Sequence, residues 1–252
     1  MKISVVYVVF NETEKLRKSL QSISNFAEEI VIIDIGSEPR VQDLSKEFRA
    51  KYQAHAFVPF VELIRDYSIA QTSGDWILIM DPDEELSESL KVKLREFAAS
   101  NEYSVINIPR KNIFAGQWIS HTNFWPDRQI RFFRRGAVSW PRIIHTYPKI
   151  EGEAYNLPAI ESNALLHFGY DNFSQFLSRQ RRYAKIEAQN LSTKGIRFSP
   201  LRLIWQPTRE FLVRFIKHRG YLDGWWGIGL VLGLMYYRIL VELHLYSLSE
   251  QK

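Results

Sequence analysis

Residues Gly74-Asp75-Trp76-Ile77-Leu78-Ile79-Met80-Asp81-Pro82-Asp83-Glu84-Glu85 join a short apolar run to a cluster of acids. A run this short, entered from a glycine, predicts a buried strand over Trp76–Met80. Its end sets Asp81 and Asp83 at the carboxyl edge of a sheet, where open α/β sheets bind their ligands. Two carboxylates one residue apart suit a divalent cation that also holds phosphate oxygens. Mg²⁺ takes one or two protein carboxylates and fills its other positions with water and phosphate. A plainer reading stands beside this one. The acids form a polar turn before the next helix, with Ser87 as its N-cap and Leu90, Leu94 and Phe97 along it.

Outward from this stretch, the first half of the chain alternates strand and helix. Residues 3–10 read as a buried strand. Asn11 is placed to cap a helix with Leu16, Leu20 and Ile23 on one face. Residues 30–33 form a second strand ending at Asp34, and Gly36-Ser37 makes the turn. Val41, Leu44 and Phe48 mark the next helical stripe. Residues 54–58 form a weak third strand, and a helix follows through Arg65, Tyr67, Ala70 and Gln71, closed by Gly74. Strands alternating with helices imply a mostly parallel sheet, right-handed crossovers and helices on both faces.

Past Phe97 the pattern changes. Residues 105–108 and 129–133 read as strands, and 139–147 as a further one. The intervening 109–128 are long, aromatic and polar, which marks a functional loop rather than a connector. From Phe173 the chain turns helical, with Phe176, Leu177, Gln180, Ala184 and Ala188 on one face. The stretch from Gly195 to Pro200 divides a first domain, residues 1–195, from a basic and apolar helical extension, residues 196–252.

The 252 residues suffice for one large domain with an appendage, and 46% apolar content supports a sizeable core. The chain has no cysteine, which excludes disulfides, thiolate zinc sites and cysteine nucleophiles and fits a reducing compartment. Residues 1–10 carry one positive charge and a short apolar run, with no small-residue cleavage site before Asn11-Glu12. A first strand is expected there rather than a signal peptide. No segment reaches the ~18 uncharged apolar residues of a membrane span; the nearest, 225–237, ends at Arg238. The net charge of +5, with a pI of about 9.3, is crowded between Arg179 and Arg219. Such basic surfaces meet nucleic acid, anionic lipid or phosphorylated ligands.

Asp34, at a strand end, is placed to accept hydrogen bonds from a nucleoside, as the acid at the second strand end does in dinucleotide folds. It would equally shape the Gly36 turn. No Gly-x-Gly-x-x-Gly follows the first strand, where Phe10-Asn11-Glu12-Thr13 stands, and there is no Gly-Lys-Ser/Thr. Hydride-transfer enzymes and P-loop NTPases are thereby disfavoured. A bound nucleotide would need a metal and side-chain cations for its phosphates. Arg65 suits a diphosphate or the adjacent acids, or an exposed ion pair.

Taken together, these residues resemble the family 2 glycosyltransferases with a GT-A fold, and most of all the bacterial branch that builds lipopolysaccharide core and related cell-envelope glycans. The matching pieces are Val8-Val9-Phe10-Asn11-Glu12, Ile30-Val31-Ile32-Ile33-Asp34 with Gly36-Ser37, Arg65, and Gly74 through Glu84. Trp125-Pro126-Asp127, Arg131-Phe132-Phe133-Arg134, His145, His167 and Leu222-Asp223-Gly224 follow in the expected order. The resemblance implies that Phe10 and Asp34 hold the nucleoside base, with Arg65 nearby. Asp81 would contact the ribose, the metal or both, and Asp83 would be the principal ligand to Mg²⁺ or Mn²⁺. His167 would complete the metal or diphosphate site. Gln180-Arg181-Arg182-Tyr183 is loosely similar to a Gln-x-x-Arg-Trp element of processive relatives. Two departures stand out: Arg65-Asp66 where members often carry Arg-Asn, and His145-Thr146 where many carry His-Glu, the natural catalytic base.

The resemblance implies an inverting transfer, in which an acceptor hydroxyl attacks the anomeric carbon opposite the diphosphate. That requires a general base and an offset for charge on the leaving group. The base candidates are Asp127, His145, Glu151 and Glu153. Asp127 closes a loop whose rings, from Trp118 to Trp125, suit sugar faces. Asp223-Gly224-Trp225-Trp226 reads as a helix start. With the basic stretch before it, it implies docking to an anionic membrane surface that carries a glycolipid acceptor; a helix packed on the domain is the alternative. The expected partners are a nucleotide-sugar donor, a glycan or glycolipid acceptor and anionic lipid, with no nucleic acid. The expected location is cytoplasmic, peripheral on the inner face of the cell membrane. Two rival classes are a sugar-phosphate nucleotidyltransferase, which needs a glycine-rich loop that this chain lacks, and a non-enzymatic basic module, which leaves the acids at two strand ends unexplained.

Overall fold

The computed structural model describes residues 1–37, 39–141 and 147–250. By internal contacts the chain divides into two compact units. The first comprises Met1–Arg110 and Arg128–His167; the second comprises Lys111–Asp127 and Phe168–Lys252. This division differs from a boundary at residue 195, because the loop after residue 110 associates with the helices that follow residue 167.

The strands in chain order are β1 (Ile3–Val9), β2 (Glu29–Asp34), β3 (Lys51–Ala54), β4 (Trp76–Met80), β5 (Glu84–Glu85), β6 (Val105–Phe114), β7 (Gln117–Trp118), β8 (Asp127–Arg134), β9 (Val138–Ser139), β10 (Lys149–Ile150), β11 (Ala154–Asn156) and β12 (Leu165–Tyr170). The helices are α1 (Thr13–Ile23), α2 (Arg40–Glu47), α3 (Arg65–Ala70), α4 (Glu88–Ser100), α5 (Phe173–Thr193), α6 (Pro200–Phe211) and α7 (Gly224–Glu250). The main sheet runs β3-β2-β1-β4-β8-β6-β12-β5, with β11 and β7 pairing onto β6.

The parallel part is β3-β2-β1-β4. β1 and β4 are buried along their whole length, which is why both read as near-continuous apolar runs, broken only by Ser4, rather than alternating ones. β8 joins β4 antiparallel, with Trp76 opposite Arg134. The sheet is therefore mixed, and its two faces are covered separately. Leu16, Leu20 and Ile23 of α1, Val41 and Leu44 of α2, and Leu90 and Leu94 of α4 cover one face. Ile64, with Tyr67 and Ile69 of α3, covers the other. Gly74 admits β4 beside β1: a Cβ there would lie 2.7 Å from the Ser4 nitrogen and 2.8 Å from the Lys2 carbonyl oxygen.

Several local expectations are met and several are corrected. The Ser87 Oγ accepts the Leu90 N–H at 3.3 Å and caps α4. Asn11 does not cap α1: it sits at φ 56° and its N–H donates to Ser37 Oγ at 3.0 Å, while Glu12 precedes the helix without a side-chain cap. The third strand lies at Lys51–Ala54, not 54–58. The start of the 109–128 loop is strand, since β6 continues to Phe114 and returns as β7 through Ala115-Gly116. The strand expected over 139–147 is described only to Ser139, and residues 142–146 lie outside the described residues.

In the second unit, α7 packs on α5 and α6. Phe176 of α5 and Leu230 of α7 enclose one apolar cluster with Phe114 and Ile119; Ala184 and Ala188 meet Val241 and Leu245 in another. One helical stretch, Gly220–Ser249, is long and apolar enough to cross a membrane by length and composition. Arg238 and Glu242 interrupt its apolar run, so the sequence alone predicts no span there.

Candidate active site

The end of β4 carries an acid cluster bound to arginines within the first unit. The Asp81 N–H donates to Glu84 Oε2 at 2.9 Å, and the Glu84 N–H donates back to the Asp81 carbonyl at 3.0 Å, closing a tight turn. Arg131, from β8, reaches both side chains: its Nη2 donates to Asp81 Oδ2 and to Glu84 Oε1, the latter at 2.7 Å. Arg65, the first residue of α3, lies 3.5 Å from Asp81 Oδ1, and Arg110 of β6 lies 3.5 Å from Glu84 Oε1. Three guanidinium groups thus face two carboxylates.

This arrangement sets the charge states. Burial pushes the Asp81 carboxyl up, but Arg131, Arg65 and Arg110 outweigh it and hold the group far below the usual carboxylate range. Glu84 is wholly buried, and burial raises its carboxyl above the ordinary value despite Arg131. For Arg131, burial disfavours the charge, yet Asp81 and Glu84 keep it firmly protonated.

Asp83, one residue on, faces a different partner. β5 pairs antiparallel with β12, setting His167 opposite Glu84. From there His167 Nε2 lies 3.4 Å from Asp83 Oδ2. Burial raises the Asp83 carboxyl, but the bond and charge of His167 leave it lowered overall. The structure therefore brings Arg65, Asp81, Asp83 and His167 into one neighbourhood while giving the two aspartates separate contacts.

Asp34 ends β2 as the alternative reading described: its Oδ1 accepts the N–H of Gly36 at 3.2 Å and of Ser37 at 2.7 Å. Its Oδ2 accepts the Tyr52 hydroxyl at 2.9 Å. Gly36 turns at φ 102°, a conformation open to glycine. Phe10, just past β1, is exposed, and its ring lies 5.2 Å from that of Phe57, which is exposed as well.

Asp127 belongs to the second unit, at the start of β8. Asn112 Nδ2 donates to its Oδ2 at 3.2 Å and to the Phe124 carbonyl at 3.0 Å, so one amide ties both ends of the loop. The same loop holds Trp118 edge-on to Trp125 at 5.4 Å, with Lys111 Nζ 4.4 Å above the Trp118 ring. Buried Asp223 fastens its middle, accepting from the backbone of Ser120 and His121 and from the Thr122 hydroxyl at 2.9 Å. His145 and Thr146 lie outside the described residues. Glu151 and Glu153 are exposed in the first unit.

Sequence reasoning assigned no role to Arg131 or Arg110. The available signal was a charge set between Ile130 and Phe132 in an apolar strand, a place where only a paired charge is tolerated. Asp223 likewise read as a helix start and proved to be an anchor for a loop a hundred residues away.

Comparison with known proteins fits this architecture. The model of glycosyl transferase family 2 matches residues 4–151, which carry every element of the acid cluster except His167. An uncharacterized glycosyltransferase of Rickettsia typhi is 23% identical over 239 residues, covering 90% of this chain and 80% of that protein. Residues 1–349 of TarS from S. aureus superpose with a TM-score of 0.48 at 11% identity, covering 100% of this chain and 92% of that one. Glucosyl-3-phosphoglycerate synthase from Mycobacterium tuberculosis, solved with Mn²⁺, uridine diphosphate and glucosyl-3-phosphoglycerate, gives 0.36 at 21% identity, covering 45% of this chain and 44% of that one. With more than half its length matched by the family model and a mixed, mostly parallel sheet ending in acids, the chain belongs to glycosyl transferase family 2: it has the GT-A fold and is a nucleotide-sugar glycosyltransferase.

Proposed function

We propose that the protein is an inverting glycosyltransferase that moves a sugar from a nucleotide-diphosphate sugar, a UDP-sugar, to a hydroxyl of a cell-envelope glycan or glycolipid at the anionic inner face of the membrane. The observation that carries this reading is the cluster at the end of β4, where Arg65, Arg110 and Arg131 gather around Asp81 and Glu84 with Asp83 beside them. The family match favours it over a nucleotidyltransferase or a non-enzymatic module.

In this reading the exposed Phe10 and Phe57 rings flank the nucleoside base. Asp34, fixed by the Gly36-Ser37 turn and Tyr52, accepts its N–H through a second lone pair, since each carboxylate oxygen has two. Arg65 and Arg131 offset charge on the diphosphate as the glycosidic bond breaks. Among the described residues no group of three His, Asp or Glu side chains is set to hold a metal. Asp83 and His167 nonetheless form a carboxylate–imidazole pair suited to Mn²⁺ or Mg²⁺ with phosphate and water in the other positions. Asp81 is turned to Arg131 and Arg65 and stands outside that pair. When bound, the ion would act as a Lewis acid on the diphosphate. Asp127, oriented by Asn112, takes the acceptor proton, and His145 is the second choice.

Incubation with UDP-sugars and extracted envelope glycolipids, followed by UDP release and anomeric configuration of the product, tests the proposal. Inversion with UDP release is expected. Retention of configuration, or release of pyrophosphate in place of UDP, would refute it.

A further inference from the structure

The membrane part of the proposal above has a physical seat in the second unit, and this inference rests on that part and on none of the transfer chemistry. α6 is built the opposite way to a helix that faces water. Its inner side is charged. Arg202 donates from Nε and Nη2 to Glu242 Oε1 of α7 at 3.0 and 2.8 Å. Glu210 accepts from Arg214 at 2.7 Å and from Arg238 of α7 at 2.9 Å. Its outer side is apolar: Leu201, Ile204 and Trp205 are 79%, 70% and 56% exposed. Leu212 continues the row, since positions 201, 204, 205, 208 and 212 share one helical face. Ile216, in the π-helical turn Leu212–Lys217, is exposed as well.

The charges around this face have one sign. From residue 196 to 222 the exposed charged side chains are Arg197, Arg209, Lys217 and Arg219, and the one acid, Glu210, is buried in ion pairs. A second copy docked about a two-fold axis would set these cations against each other. An anionic lipid surface neutralises them and covers the apolar row.

We propose that the outer face of α6 lies in the plane of an anionic bilayer, with Leu201, Ile204, Trp205 and Leu212 at the acyl boundary and Arg197, Arg209, Lys217 and Arg219 on lipid phosphates. α7, though long and apolar enough to span, stays on the protein side: its Arg238 and Glu242 are bonded to Glu210 and Arg202, and it packs on α5 and α6.

The full chain should co-sediment with vesicles of phosphatidylcholine mixed with phosphatidylglycerol and weakly with phosphatidylcholine alone. The double variant Leu201→Glu/Ile204→Glu, checked for an unchanged circular dichroism spectrum, should bind at least about tenfold more weakly. Arg209→Gln/Lys217→Gln should lose the salt-sensitive part of binding. Because the chain has no cysteine, Ile204→Cys carries a single fluorophore, which should shift to the blue on vesicles and be quenched more by shallow than by mid-bilayer quenchers. UDP binding by the double variant reads the donor site separately and should be unchanged. Binding of the double variant equal to that of the wild type would overturn the proposal. So would stronger quenching from the bilayer centre, or a dimer dispersed by the double variant without vesicle binding.

Discussion

Arg131 is hydrogen-bonded to both Asp81 and Glu84. Replacing it with Met leaves two buried carboxylates short of their counter-ion. Removing one partner of a buried ion pair costs about 3–5 kcal/mol, so Arg131→Met should lower the unfolding free energy by that order, read as a lower urea midpoint at unchanged slope. The two acids titrate in opposite senses. Asp81 is held below its ordinary value, so its contribution to stability is whole above the usual carboxylate range and is lost as pH falls through the folded value. Glu84 is pushed up by burial, so its contribution is whole at low pH and is lost as pH rises through its raised value. The stability deficit of Asp81→Asn should therefore be largest at neutral pH and shrink towards pH 3. The deficit of Glu84→Gln should run the other way, larger at low pH than at neutral pH. Equal pH profiles for the two variants, measured by urea denaturation, would contradict this assignment. Asp83 is distinguished from both by its bond to His167, and Asp127→Asn should cut turnover by about 10²-fold or more, the scale for losing a general base, with donor affinity little changed.

Among the elements, β4 and the helix after it show what local sequence can carry. Ser87→Ala removes the cap of α4 and should cost about 1 kcal/mol, read from the urea midpoint. Gly74→Ala drives a methyl group against the backbone of Lys2 and Ser4 and should cost about 1–3 kcal/mol. Both positions were legible because the signal is local: a serine before an apolar stripe, a glycine before a buried run. β6 was only half legible. Its outer half, Arg110-Lys111-Asn112, is polar and reads as loop, and it is strand because neighbouring strands pair with it. The strand signal fails there because pairing across the sheet overrides local preference. Asn11 was misread for a similar reason: an N-cap residue type was present, but the chain turns at positive φ and its N–H reaches Ser37 instead. Arg131 and Asp223 were invisible as contacts, since each acts on residues about fifty to a hundred positions away.

For the whole molecule, a parallel half-sheet and acids at the end of β4 were foreshadowed by the order of apolar runs and their polar ends, whereas the antiparallel pairing of β8 with β4 was not. Arg65, Asp81, Asp83 and His167 fall together in the first unit because β1, β4 and α3 deliver their ends to one edge and β12 pairs with β5. We propose that this edge binds a nucleotide diphosphate through Asp83 and a divalent ion. Calorimetric titration of UDP into the full-length protein, with Mn²⁺ or with chelator, tests it most directly. UDP should bind with Mn²⁺, bind at least about tenfold more weakly with chelator, a difference of about 1.4 kcal/mol, and lose the Mn²⁺ effect in Asp83→Asn. Equal affinity in Mn²⁺ and in chelator, unchanged by Asp83→Asn, would contradict the claim.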